Sequence, residues 1–247
     1  MRQRREIVMT VDELRIRRSN TFQLHVPFLR FMAGGSVCIV GANGSGKTTL
    51  VETLVGLIIP REGSVRVSGL NAHDEEVSVK RAVGYIPDDD AWLIAELTAA
   101  EFFDLLVSVH AQHTSKRLLE KRVKELANEL LFESFHSQLG SLSHGNKKKV
   151  QIIAGLLHEP NFVVVDELRN GLDPIAIARA EALLRRKQIG GTSIIAATHD
   201  LWWAERFAEE IIMIRRGHVI LNDYTREIVA KSGSLEARFM EVYDNVA

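Results

Sequence analysis

Eight residues, Gly41-Ala-Asn-Gly-Ser-Gly-Lys-Thr48, constrain this chain more than any other stretch. They fit the pattern G-x-x-x-x-G-K-[ST], with Thr49 following. Before them stands the apolar run Val37-Cys-Ile-Val40, which suits a strand covered on both faces. After them a helix is predicted from Lys47 to about Leu57, closed near Pro60. The chemistry requires that context. Triphosphate oxygens need several backbone N–H groups at close range, and glycine allows the tight approach. The helix N-terminus adds the positive end of its dipole. Lys47 supplies a point charge to the β- and γ-phosphates, and the Thr48 hydroxyl can ligate Mg²⁺.

The remaining pattern is layered. Arg15-Ile-Arg17 and the alternation of Phe22, Leu24 and Val26 predict short strands over 7–40, with a turn at Gly34-Gly35. Val65-Arg-Val67 and Val83-Gly-Tyr-Ile86 predict two more. From about Asp88 the texture becomes helical. Thr98-Ala-Ala-Glu101 has capping-box spacing. A helix is expected from about Ser115 to Phe132, with Leu119, Val123, Leu126 and Leu130 on one stripe and Glu120–Lys124 as an i,i+4 pair. Beyond Gly145 strands and helices alternate again. Phe162–Val165 and Ile194–Ala197 read as buried strands, and Asp173-Pro174 opens a helix whose basic end, Arg185-Arg-Lys187, suits the helix dipole. Ile211–Ile214 and Val219–Leu221, joined through Gly217, read as a late strand pair. The expected fold is an α/β phosphate-loop NTPase core with a mainly parallel sheet, residues 88–145 being a helical insertion between 1–87 and 146–247.

An acidic partner for the loop is expected at the end of a neighbouring apolar strand, and Asp166-Glu167 supplies it. Asp166 would hold Mg²⁺, and Glu167 would orient and deprotonate an attacking water. His199, just past another strand, is placed to sense the γ-phosphate. Composition narrows the class. With 31 basic against 32 acidic residues, a dedicated nucleic-acid binder is not expected. The lone Cys38 permits no disulfide within the chain and suits a reducing compartment. No apolar run approaches the ~18–20 residues that span a bilayer. The basic start, Met1-Arg-Gln-Arg-Arg5, has no apolar segment behind it and does not read as a secretory signal.

With these residues in order, the sequence resembles the ATP-binding cassette (ABC) ATPases from about residue 7 to 240. Leu142-Ser-His-Gly-Asn146 is similar to the family's signature LSGGQ, ahead of a helix expected over Lys147–Leu157. Gly171-Leu-Asp173 is similar to its D-loop, and Thr198-His-Asp200 to its switch histidine. The resemblance implies an N-terminal antiparallel β subdomain and a helical subdomain carrying the signature. It also implies a head-to-tail dimer, homo- or heteromeric, in which Leu142, Ser143, His144, Gly145 and Asn146 close over ATP held by residues 41–49 of the other copy. Hydrolysis then separates the pair and drives an integral-membrane permease. The chain would sit in the cytoplasm, peripheral at the inner face of the cell membrane. The tail Gly233–Phe239 is similar to that of export-type bacterial cassettes.

Several positions depart from the family pattern. Asp88 stands where the coupling loop usually has Gln, His144 replaces the first signature glycine, Asn146 the closing Gln, Leu168 a Pro and Gly35 a Glu. No tyrosine occurs where the family stacks an aromatic on adenine; Phe22 is one candidate, and Arg17 or Arg18 another. Two other readings stand beside a transporter subunit: a cassette serving protein or cofactor assembly, of the iron–sulfur type, and a weakly active regulatory half of a heterodimer. Of the remaining residues, His110 and His113 are expected at the surface, one ring of Trp202-Trp203 under the last helix, Cys38 buried, and Lys147–Lys149 either on a solvated face or near the phosphates.

Overall fold

The computed structural model describes residues 6–18 and 22–244. The basic start Met1–Arg5 lies outside them. Chain order is β1 (Ile7–Arg17), β2 (Gln23–Met32), β3 (Ser36–Val40), α1 (Lys47–Leu54), β4 (Glu62–Val67), β5 (Leu70–Asn71), α2 (Glu76–Ala82) and β6 (Val83–Ile86). The helices α3 (Ala99–His110), α4 (Lys116–Glu129) and α5 (His144–Leu156) follow. Then come β7 (Phe162–Asp166), α6 (Pro174–Ile189), β8 (Ser193–Thr198), α7 (Leu201–Phe207), β9 (Glu210–Arg215), β10 (His218–Tyr224), α8 (Thr225–Ser232) and α9 (Leu235–Asp244).

The strands form one ten-stranded sheet in the order β5-β4-β1-β2-β10-β9-β3-β8-β7-β6. From β9 to β6 every pairing is parallel, and β5, β4, β1 and β2 pair antiparallel. The two regions meet where β10 runs parallel to β2, at His218 opposite His25. β1 and β2 are 11 and 10 residues long, not the short strands expected. Their register, Ile16 opposite Leu24 and Leu14 opposite Val26, stacks buried side chains on one face along the whole hairpin.

β3 is buried at all five positions, as its unbroken apolar run predicts. Cys38 and Val40 point into one core and Val37 and Ile39 into the other, so the loop's supporting strand is gripped from both faces. The first core includes α5, α6 and α7. It continues under α3 and α4 through Phe103, Leu119, Val123, Leu126 and Leu130.

The expected helices form, with shifted ends. α1 stops at Leu54 because Gly56, at φ +78°, turns the chain out of the helix. α4 stops at Glu129, before Leu131 enters the left-handed region at φ +53°. Glu120 pairs backward with Lys116 at 3.9 Å rather than forward with Lys124. The capping box of α3 is present, Thr98 Oγ1 accepting from the Glu101 N–H at 3.3 Å and Glu101 Oε2 from the Thr98 N–H at 2.8 Å. Trp203 packs in the core against Phe207, while Trp202 lies exposed beneath Arg206. Among the described residues no helix is long and apolar enough to cross a membrane.

Candidate active site

The loop between β3 and α1 is shaped by two glycine requirements. A Cβ on Gly41 would lie 2.4 Å from the Ile214 carbonyl oxygen and 2.5 Å from Ser45 Oγ, so no side chain fits. Gly46 turns into α1 at φ +114°, a torsion L side chains rarely adopt. The outer side of the loop is tied down by the Gly217 N–H, which donates to the Ser45 carbonyl at 2.8 Å. Lys47 is buried, and its ammonium donates to the carbonyls of Gly41 at 2.9 Å and Ala42 at 3.4 Å. Burial holds its pKa below the usual lysine range, against the opposing charges of Glu167, Asp166 and Asp88.

Asp166 ends β7 and is 1% exposed. Neither of its carboxylate oxygens has a hydrogen bond of good geometry, although the Thr48 hydroxyl lies close enough to lower its pKa. Burial outweighs that effect and, with the charges of Asp88 and Glu167, pushes the carboxyl up to about 6. Glu167 is held by its N–H to the Ala197 carbonyl of β8 at 3.0 Å, with its own backbone at φ +47°. Its Oε1 lies 3.0 Å from His199 Nδ1 and 3.9 Å from Lys47 Nζ. Asn170 donates to Asp88 Oδ1 at 2.8 Å.

These groups surround a cleft of about 490 Å³ lined by Asn43, Gly44, Gly46, Lys47, Thr48, Thr49, Asp88, Glu167, Asn170 and His199, with Arg18 and Phe22 at its side. The structure thus brings together most of the phosphate-loop residues, the acidic pair's Glu167, Asp88 and His199. Gly41, Ala42 and Ser45 form the loop's outer curve and do not line the cleft, and Asp166 lies beneath it. Of the two adenine candidates by charge, Arg18 reaches the cleft wall, where it also pairs with Glu52 at 2.7 Å.

The signature residues lie elsewhere. None of Leu142, Ser143, His144, Gly145 and Asn146 lines the cleft. α5 begins at His144, three residues before the start expected at Lys147. Ser143 is its N-cap, and the Ser143 hydroxyl accepts from the Asn146 N–H at 3.3 Å. Ser143 and His144 are exposed. Gly171 packs against this helix start: its carbonyl would lie 2.9 Å from a Cβ on Gly145, which requires glycine there. Leu172 packs against the first core, and Asp173 caps α6, accepting from the N–H groups of Ile175 and Ala176 at 2.9 Å.

The three lysines of α5 are not a solvated face. Lys147 pairs with Asp90 at 2.7 Å, and Lys149 donates to the Leu131 carbonyl at 3.1 Å. Lys148, 3% exposed, donates to the carbonyls of Pro87 at 2.6 Å and Asp166 at 3.1 Å, and burial lowers its pKa to about 8. Gln151 donates to the Asp89 carbonyl. One face of the signature helix is therefore latched to the Pro87–Asp90 segment and to the strand end that carries Asp166. Gln151 and Asn170 were not singled out by sequence reasoning, and Lys148 was named only with its two neighbours, without its buried latch. The signal for Lys148 was available, since it shares a helical stripe with the buried Ile152, Gly155 and Leu156.

A family model described as ABC transporter matches residues 25–170, more than half of the chain. This chain belongs to the ABC transporter family. The matched span includes the phosphate loop, Asp88, the signature and Asp166-Glu167; Gly171–Asp173 and His199 lie beyond it. The chain is similar to the ABC-type transporter ATP-binding protein EcsA of Bacillus subtilis, with 30% identity over 208 residues, 84% of this chain and 83% of that protein. A putative ABC transporter ATP-binding protein of Pyrococcus abyssi is 33% identical over 189 residues, covering 75% of this chain and 72% of its own. Among solved structures, an ATP binding subunit of an ABC transporter superposes with a TM-score of 0.85 at 27% identity, over 96% of this chain and 99% of that one. A dimeric bacterial ABC transporter cassette superposes with a TM-score of 0.78 at 25% identity, over 88% and 99%. As a member of this family the chain is an ATP-binding, ATP-hydrolysing subunit of a transporter.

Proposed function

We propose that the chain binds ATP with Mg²⁺ at residues 41–49 and hydrolyses it only when the signature of a second cassette, identical or related, closes over the γ-phosphate. The observation that carries this reading is the separation within one chain. Lys47, Glu167 and His199 share a cleft that Ser143–Asn146 does not reach. Asp166 and Thr48 fit a divalent cation. Two buried carboxylate oxygens without hydrogen-bond partners beside a hydroxyl are the oxygen donors a hard ion takes. Asp88 offers a further oxygen from the coupling loop. When bound, Mg²⁺ supplies neutralisation of charge on the β- and γ-oxygens.

The chain's own groups do the rest. The loop N–H groups and the α1 terminus bind the triphosphate, and Lys47 exchanges the Gly41 and Ala42 carbonyls for phosphate oxygens. Glu167 orients the water and takes its proton, and His199 holds that carboxylate through Nδ1. Phe22 and Arg18 offer faces for adenine. The Ser143 hydroxyl uses a lone pair for its own helix, leaving its O–H to donate across the interface to the partner's nucleotide.

In this reading residues 88–145 form the helical subdomain that presents the signature, set between core segments 1–87 and 146–247. An integral-membrane permease docks at the cytoplasmic face of the cell membrane and receives the motion of dimer closure and opening. Replacing Glu167 by Gln tests the site. Phosphate release should fall by about 100-fold or more, while ATP binding measured by equilibrium titration persists. Undiminished turnover in that variant would remove Glu167 as the base.

A further inference from the structure

The last described helix reaches back to the phosphate loop. Tyr243, near the end of α9, donates its hydroxyl proton to the Ile214 carbonyl at 2.6 Å and accepts the Ala42 N–H at 3.1 Å. One hydroxyl has a single proton to give and lone pairs to receive, so both bonds form together. Its ring is fixed on two sides. The Phe239 ring stacks on it at 4.1 Å between centroids, and the Arg215 guanidinium lies 5.4 Å from its centroid. α9 itself is anchored by Leu235, fully buried, whose N–H donates to Glu205 of α7 at 2.6 Å.

We infer that Tyr243 is a positioning residue for nucleotide binding, its hydroxyl pinning the first turn of the phosphate loop to β9; this rests on the nucleotide reading above. Ile214 is the residue whose carbonyl crowds Gly41, and Ala42 is one of the two residues whose carbonyls receive the Lys47 ammonium. The Ala42 N–H shares its peptide plane with the Gly41 carbonyl, so the hydroxyl fixes that plane between the strand exit and the lysine. With the Gly217–Ser45 bond it makes the second of two ties on the outer curve of the loop. The inward N–H groups are left to phosphate in an arrangement that no longer needs ordering when the ligand arrives.

Tyr243→Phe keeps the ring and its stacking and removes only the hydroxyl. Affinity for ADP with Mg²⁺, which engages the phosphate loop without the second cassette, is read by equilibrium titration. The dissociation constant should rise about five-fold, the net effect on the loop of losing both bonds of the hydroxyl. The nucleotide-free unfolding midpoint should fall by about 4 °C or less, and kcat at saturating ATP should stay within about two-fold. Arg238→Ala, which breaks the Arg238–Glu241 pair on the same helix, should bind ADP as the parent does. A Tyr243→Phe protein that binds ADP within about two-fold of the parent would overturn the inference. So would an Arg238→Ala protein weakened to the same extent, since helix integrity would then be responsible. A parent protein that binds no ADP would instead remove the nucleotide reading itself.

Discussion

In the proposed function the phosphate-loop cleft and the signature edge are two halves of one reaction site, and this chain builds them by opposite rules. At the cleft, charge is crowded and buried. Lys47 and Asp166 are almost inaccessible, Glu167 is held by β8, and the charged groups keep one another in place. At the edge, Ser143 and His144 are exposed, and the serine is ordered by its cap on α5. Groups that must face a highly charged ligand before anything else arrives need a rigid, low-dielectric frame. Groups that meet the ligand from another molecule need accessibility instead. Between them lies Lys148, which donates to both the Pro87 carbonyl and the Asp166 carbonyl at the end of β7.

The strongest way to break this comparison is to split the halves between two proteins. Lys47→Ala lacks the cleft's charge and Ser143→Arg blocks the edge, and each alone should lose ATP turnover by about 100-fold or more. Mixed in equal amounts, half of the head-to-tail dimers would be mixed, and each of these holds one intact site. Turnover should recover to about a quarter of the parent's. No recovery on mixing would mean that the edge does not act across an interface.

The link between the halves is next. Lys148→Met removes the donor to Pro87 and Asp166 and leaves neighbouring carboxylates unbalanced. Urea unfolding should show a loss of about 2–3 kcal/mol. Unchanged stability would make the latch incidental.

A smaller effect sharpens the comparison by acting far from both halves. At the C-terminal end of α5, His158 stacks on His110 of α3 at 4.5 Å and faces the Val83 carbonyl. Burial lowers its pKa to about 4, with His110 and Arg122 repelling its charged form and the Val83 carbonyl favouring it. The folded state thus refuses a proton that the unfolded state takes near pH 6.5. Stability from this group is present above about pH 6.5 and is lost as pH falls toward 4. Between about pH 7.5 and 5 the parent should lose about 2 kcal/mol more than His158→Gln, measured by urea unfolding at each pH. Equal losses would assign the acid sensitivity elsewhere.

What could be read from the chain divides along the same line. The glycine spacing at 41–46 and the unbroken apolar run of β3 are local signals, because the steric demand and the double-sided burial act on consecutive residues. Asp166, Glu167 and His199 were legible as strand-end residues. The start of α5 was misplaced because Ser143 is both a motif letter and an N-cap. The cap requires helix from His144, and a loop-like motif hides it. The joining of the two sheet regions at His218 and His25, and the bond from Tyr243 to Ala42 across 201 positions, left no local mark. Contacts between distant segments, with nothing periodic to announce them, come only from the folded arrangement.

Glu167 occupies a backbone torsion, φ +47°, that suits glycine or asparagine better than a glutamate. The carboxylate is therefore aimed by a misfit at its own α-carbon, tolerated because the Ala197 carbonyl pins the peptide. If Glu167 acts as proposed, a descendant cassette that abandoned hydrolysis would be free of that steric demand, and drift toward glycine or asparagine at this position would relax its fold while silencing its chemistry.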